Sequence, residues 1–324
     1  MASEQQAPRS DTAPVAVDAD RAEAFLVSRF GPGVREVTRI GYGEWSRAYA
    51  FRYGGVDHVA RFGAFVEDFD KDRRAARYGS DALPIPAVTE IGQAFDGYYA
   101  ISERAFGDFI DDLDDTRMRA TLPSLFAALD AAREADLTSS AGYGGWAADG
   151  MATRHSWRAT LLAVAEDDSA DRIIGWRERL RQSSPATAAF EEGMDCLQSL
   201  LPYASEARHL IHSDLLHFNV LVANDRVSAV VDWGCSMYGD FLYDVAWLVF
   251  WSHWYPAWQR IDFREEAMRH FETIGLDVPH FEQRLRLCQL HVALDSLKYN
   301  AFMERWDQLD VVAGRTLLVA RAER

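Results

Sequence analysis

The sequence has few cysteines, a shortage of positive charge and no long apolar run, and each of these excludes a class of protein. Only three cysteines occur in 324 residues, Cys196, Cys235 and Cys288, and no two form a CxxC pair. Such spacing supports neither a disulfide framework nor a thiolate zinc site, and it fits a reducing, cytoplasmic setting. Basic residues number 34 against 50 acidic ones, a formal charge of −16. A nucleic-acid binder needs a basic face to neutralise phosphates, so no nucleic-acid partner is expected. The same acidity would draw a polycationic small molecule into a cleft, although charge alone slightly favours the plainer account that it keeps the protein soluble. No apolar stretch reaches bilayer-spanning length, so no membrane partner is expected, and Val245–Trp251 reads as a buried helix. Residues 1–17 mix Ala, Pro, Ser, Gln and Asp without a basic-then-apolar order. They read as a disordered tail rather than a signal peptide.

What is present is enough hydrophobic residue, 48%, to bury a large core, and a chain long enough for two lobes. A helix is expected from Asp18 to Gly31. A run of β-patterned segments follows at 34–40, 47–53 and 56–62, broken by Gly41-Tyr42-Gly43 and Gly54-Gly55. A charged helix is predicted over 67–78, then strands at 87–92 and 98–103. Beyond Gly107 the pattern turns helical, with helices expected over 115–136, 171–181, 187–203, 241–254, 263–273, 281–300 and 304–321. Short β runs at 209–212, 219–222 and 227–232 interrupt it. The fold class is therefore α+β: a β-rich N-terminal lobe (residues 18–105) and a larger, mostly helical C-terminal lobe (residues 106–324).

The chemistry concentrates in His212-Ser213-Asp214-Leu215-Leu216-His217-Phe218-Asn219, followed by Val231-Asp232-Trp233. An aspartate, an asparagine five residues on and a second aspartate thirteen further is the spacing of a kinase catalytic loop and its metal-binding strand. Asp214 would accept the proton of an attacking hydroxyl. Asn219 and Asp232 would hold magnesium, a hard cation that prefers oxygen ligands. Apolar runs before His212 and before Asp232 place each motif at a strand end, the context this chemistry demands. His212 reads as a buttress of the loop rather than a reacting group.

Upstream residues would supply the nucleotide half of the site. Gly43 and Ser46 lie in a turn able to cover phosphates, although any β-turn can look like this. Arg61 alternates with apolar neighbours in Val59-Ala60-Arg61-Phe62, so it would point into the cleft, where a guanidinium can grip phosphate oxygens bidentately. An ordinary strand arginine is the competing account. Asp72 is preferred to Glu67 and Asp68 as its acidic partner. Ile101–Ala105 would form the hinge that meets the purine, with Glu103 and Ala105 supplying backbone groups.

These residues resemble the aminoglycoside phosphotransferase family, and within it the members acting on hygromycin B. The likeness runs from about residue 20 to beyond residue 300. It rests on Ser46-Arg47-Ala48, Lys71-Asp72-Arg73, Ala82–Pro86, Arg208–Leu210 with His212 and Asp214, Asn219–Leu221, Asp232-Trp233, Met237–Asp240 and Tyr243–Ala246. The resemblance implies a two-lobed protein-kinase-like fold. It also implies ATP as donor, with GTP as an alternative, together with Mg2+ and an aminoglycoside hydroxyl as acceptor. Two departures stand out: Arg61 where the wider family has lysine, and Trp233 where protein kinases have phenylalanine, so no phenylalanine-flip switch is expected. Asp240 would cap the next helix, and Asp244 would tie that helix to the catalytic loop.

Only Cys235–Gly239 separates Gly234 from the next helix start, and no Ala-Pro-Glu signature follows, so a protein substrate is not expected. A cationic sugar needs carboxylates and flat rings. The late helices offer Trp251, Trp254, Tyr255 and Trp258 with Asp295, Glu304 and Asp307, although helical aromatics are more often core. The acidic run 108–115 reads as a solvated loop that caps the next helix, with a place at the mouth of the cleft as the competing account. The chain is expected to act as a monomer. Competing functions are a small-molecule kinase for choline, homoserine, a ribose derivative or a macrolide, and a catalytically silent nucleotide-binding protein.

Overall fold

The computed structural model describes residues 17–41, 43–168 and 172–322. Helix α1 (Ala19–Phe30) starts where the Asp18 carboxylate accepts the Arg21 amide at 2.9 Å, and stops at Gly31, whose φ of +94° ends the helix without strain. Strands β1 (Arg35–Gly41), β2 (Ser46–Tyr53), β3 (Val56–Gly63), β4 (Val88–Ala94) and β5 (Gly97–Glu103) form an antiparallel sheet in the order β1-β2-β3-β5-β4. Ala22 and Leu26 of α1 pack against Tyr49, Phe51, Phe62 and Tyr99 to make the small lobe's own core. Helix α2 (Val66–Ala75) lies between this sheet and the rest of the molecule.

The expected tail, residues 1–17, lies outside the described residues except for Val17. That residue is buried, and its carbonyl accepts the Tyr49 hydroxyl at 2.7 Å. Val17 is therefore part of the fold.

Strand β6 (Asp108–Phe109) follows the connection between the lobes. Helices α3 (Asp115–Arg133), α6 (Ser184–Leu200), α7 (Leu242–Trp251), α8 (Phe263–Ile274), α9 (Phe281–Phe302) and α10 (Trp306–Arg321) surround one large core, with α9 at its centre. Strands β10 (Val220–Ala223) and β11 (Arg226–Val230) make a hairpin to which β6 adds. Its turn is Asn224-Asp225, both at positive φ (+52° and +56°), the geometry that twists with the strands.

Two regions depart most from the sequence reading, and the short strands at 108–109 and 237–239 are also unexpected. Residues 143–162 carry strands β7 (Tyr143–Trp146) and β8 (Ala152–Arg154) and helix α4 (Trp157–Leu162), where no element is expected. These strands join β9 (His209–Ile211) and β12 (Met237–Gly239) in a sheet ordered β8-β7-β12-β9. Runs of three or four residues are too short to show periodicity. Second, the helix expected over 171–181 is only α5 (Trp176–Leu180). Gly175 at φ +83° precedes it, and Asp171 lies outside the described residues.

The large core holds a neutral histidine. His291 on α9 is buried, faces the Tyr243 hydroxyl at 2.9 Å, and burial pushes its pKa down from 6.5 to about 4. The folded state therefore binds fewer protons than the unfolded chain between these values. This contribution to stability is complete above about pH 6.5 and is lost as pH falls through about 4, roughly 3 kcal/mol in all. The calorimetric melting midpoint of His291→Gln, taken relative to wild type at each pH, should rise as pH falls through that window. Parallel curves for the two proteins would contradict the assignment.

Candidate active site

The end of β9 and the hairpin β10–β11 converge on one point. The Val231 amide donates to the Asn219 carbonyl at 2.9 Å, closing the hairpin's open end, so Asp232 emerges beside Asn219. His212 is buried between them: its Nε2 faces the Val231 carbonyl at 3.0 Å, and its Nδ1 accepts the Asp214 amide at 3.2 Å. Burial holds this imidazole down at about 4, so it is neutral, as a buttress should be. Asp244 of α7 accepts the amides of His212 (2.9 Å) and Ser213 (2.8 Å), which ties α7 to the loop. Asp240 does more than cap. It accepts the Leu242 amide at 3.1 Å and also forms a buried, bidentate pair with Arg284 at 2.8 and 2.7 Å.

The loop is strained. Ser213, His217, Phe218 and Asp232 all have positive φ, between +62° and +71°, which disfavours side chains with a Cβ by about 1–3 kcal/mol each. Asp111 offsets part of this. Its carboxylate accepts the successive amides of His217 (2.8 Å) and Phe218 (2.9 Å), an anion seated in a backbone nest, and the Tyr255 hydroxyl donates to it at 2.5 Å. Of the acidic run 108–115, Asp114 does cap α3, but Asp111 holds the catalytic loop.

Asp214 sits at the floor of the cleft with about a quarter of its side chain exposed (27%). His217 Nδ1 lies 3.0 Å from its Oδ1, and Asn219 Nδ2 lies 3.0 Å from its Oδ2 and 2.7 Å from its carbonyl. Desolvation raises its pKa to about 6 against the opposing contacts of His217 and Asn219. With the Asn219 amide nitrogen occupied, its Oδ1 is the atom left to face a cation. Asp232 is half exposed (49%). One carboxylate and one amide oxygen suit Mg2+, which binds through one or two protein oxygens plus phosphates and water.

Arg61 on β3 pairs with Asp72 on α2, and its Nη1 is 3.9 Å from Asp232 Oδ1. The other Asp72 oxygen accepts the Trp233 amide at 2.7 Å. Glu67 and Asp68 are engaged elsewhere: Arg172 reaches both at 2.9 Å. Trp233 is buried, with Nε1 bonded to the Val230 carbonyl at 3.1 Å and its ring edge-on to His212. Lys71 is also buried, pushed down to about 8 by desolvation, and clamps the carbonyls of Gly234 (2.6 Å) and Ser236 (3.0 Å). In the turn expected to cover phosphates, Tyr42 lies outside the described residues. The Gly43 carbonyl accepts from Arg47, Ser46 begins β2, and Glu44 pairs with Arg305 across the cleft. At the hinge the Glu103 amide is taken by the Ala87 carbonyl at 3.2 Å, while Ala105 lies in the connection between β5 and β6.

On the acceptor side, Trp251 is partly exposed and packs its ring 5.2 Å from that of His217, so it borders the loop. Asp295 is exposed on α9, 3.6 Å from Lys298, and lines a cavity of about 330 Å³ with Glu166 and Asp168. Glu304, at φ +55° between α9 and α10, reaches Arg179 at 3.6 Å. Asp307 is exposed in the first turn of α10. Trp258 offers no face to a ligand: it is buried, with Nε1 on the Leu113 carbonyl. Asp111 and Lys71 gain their roles from contacts with chain distant in sequence. His217 stands inside the loop motif, where its bond to Asp214 is local but the motif's spacing assigns it no function.

Residues 36–282 match the phosphotransferase enzyme family. The hygromycin-B 4-O-kinase of Escherichia coli is 32% identical over 302 residues, covering 93% of this chain and 84% of that protein. The crystal structure of aminoglycoside phosphotransferase APH(4)-Ia superposes with a TM-score of 0.82 at 31% identity, covering 95% of this chain and 100% of that one. A thermostable mutant of that enzyme, in ternary complex with AMP-PNP and hygromycin B, gives 0.80 at 31% identity over 92% of this chain and 97% of the other. The two-lobed, kinase-like α+β fold is thereby established.

Removing the carboxylate from the nest should loosen the loop. Asp111→Ala should lower unfolding free energy by about 1–2 kcal/mol, since the His217 and Phe218 amides and the part-buried Tyr255 hydroxyl lose a charged acceptor. Urea denaturation checks this, and a change under about 0.5 kcal/mol would be that of an ordinary surface position.

Proposed function

The chain belongs to the phosphotransferase enzyme family, and on that premise we propose that it transfers the γ-phosphoryl group of ATP to a hydroxyl of hygromycin B or a close relative. The 4-hydroxyl, by analogy with the E. coli relative, is the first position to examine. The observation that carries this reading is the convergence of Asp214, Asn219 and Asp232 at the foot of one hairpin, facing the Arg61–Asp72 pair.

Phosphoryl transfer asks a protein for positioning and charge neutralisation rather than covalent work. Asp214 orients the acceptor hydroxyl and takes its proton as the bond to phosphorus forms. Arg61, held by Asp72, meets phosphate oxygens in the role lysine fills elsewhere. Asn219 and Asp232 would hold Mg2+, which would supply charge neutralisation on the transferring group. Gly43 and Ser46 cover the phosphates. The purine would meet the hinge backbone at Glu103 and Ala105, with GTP as the alternative donor to ATP. Trp251, Asp295, Glu304 and Asp307 form the wall for a cationic sugar, in keeping with the −16 charge. The short passage from Gly234 through β12 to α7 leaves no room for an activation segment, which speaks for a small-molecule acceptor. Among the described residues no helix is long and apolar enough to cross a membrane. We place the enzyme in the cytoplasm as a monomer.

Nucleotide turnover with and without a panel of acceptors, with mass analysis of products, tests the reading. Hygromycin B should stimulate turnover and gain one phosphoryl group. Stimulation by choline or a macrolide alone would replace the acceptor, and nucleotide binding without any product would favour a silent protein. Asp214→Asn should reduce transfer by roughly 100- to 10,000-fold with nucleotide affinity and melting temperature preserved. Asp232→Ala should instead weaken magnesium-dependent nucleotide binding, so an unaltered magnesium titration would remove Asp232 from that role.

A further inference from the structure

We propose that His217 is a positioning residue for this reaction, fixing the orientation of the Asp214 carboxylate from the acceptor side of the cleft. The inference rests on the phosphotransfer reading above and deepens it. Asp214 receives one donor on each oxygen: His217 Nδ1 on Oδ1 and Asn219 Nδ2 on Oδ2, both at 3.0 Å. A carboxylate on a single donor can rotate, because its terminal torsion has a broad minimum. Two donors on opposite oxygens stop that rotation and still leave a lone pair on each oxygen for an incoming hydroxyl. Asp214 can only accept while ionised, so the hydrogen lies on His217 Nδ1.

His217 is itself held from three directions. Its amide donates to Asp111 at 2.8 Å, and its ring stands edge-on to Trp251 (5.2 Å) and Trp247 (6.1 Å). The side chain remains about half exposed (48%), so it contributes little as core packing, and its left-handed backbone (φ +66°) is a strained way to present a ring. What that conformation achieves is the bond to Asp214. The same ring forms the junction between the base and the Trp247–Trp251 surface, so an acceptor lying on those tryptophans would meet a base already aligned.

Two variants separate this from a structural role. His217→Phe keeps a ring against Trp251 and removes the donor; His217→Asn places an amide N–H near the Nδ1 position. His217→Phe should lower kcat by about 30- to 100-fold, the penalty of a misaligned base, with nucleotide KM and melting temperature little changed. His217→Asn should recover most of that loss. Activity of His217→Phe within about 2-fold of wild type, or equal losses in both variants, would overturn the proposal. Acceptor-independent hydrolysis of ATP is measured on the same three proteins. If hygromycin B fails to stimulate the wild type, the substrate reading falls, and the same comparison on the water reaction still decides His217. A wild type that turns over no nucleotide overturns both.

Discussion

Asp72 divides its carboxylate between the two halves of the molecule, and the candidate site depends on that division. One oxygen pairs with Arg61 of the small sheet, and the other accepts the Trp233 amide immediately after Asp232. A buried carboxylate this short of water is tolerable only with both oxygens engaged. The consequence is geometric: the strand that would meet phosphate and the residue that would hold metal are set by the same rigid side chain. Lys71, next to it on α2, extends the link by clamping the carbonyls of Gly234 and Ser236. Arg172 completes it by bringing Glu67 and Asp68 of the same helix to the large lobe.

The second constraint is backbone strain. Four residues of the site occupy the left-handed region, and none is glycine. Such conformations persist only where the surroundings over-determine them. Here Asp244 holds the amides before Asp214 and Asp111 holds those after it, two carboxylates gripping one short loop from opposite ends. The acid-rich composition thus serves two ends. Some carboxylates are structural clamps bonded to backbone N–H groups, and others, such as Asp232 and Asp295, remain about half exposed.

Much of this was legible in the sequence. Asp18 and Gly31 bound α1, alternating β2 and β3 present Arg61 to the cleft, and Asn224-Asp225 turn the hairpin that joins Asn219 to Asp232. These are local rules, set by steric preference and a few hydrogen bonds within several residues. The helical segments also stood out, although Gly175 shortened one of them to α5. Strands β7 and β8 and helix α4 did not, because each is only a few residues long and is stabilised by neighbours rather than by its own pattern.

The sequence by itself determined the reaction type: aspartate, asparagine and aspartate at a spacing that a strand end, a loop and a hairpin convert into one site. The short passage from Gly234 to the next helix also pointed to a small-molecule rather than a protein acceptor. Tertiary structure alone decided which acids serve which partners. Asp72 rather than Glu67 or Asp68 meets Arg61, Asp111 leaves a run of solvated acids to hold the catalytic loop, and Trp258 joins the core while Trp251 stays at the cleft. The reason is physical. A carboxylate or an indole has the same local signature in every such setting, and its role is fixed only by what distant chain brings within about 3–5 Å of it.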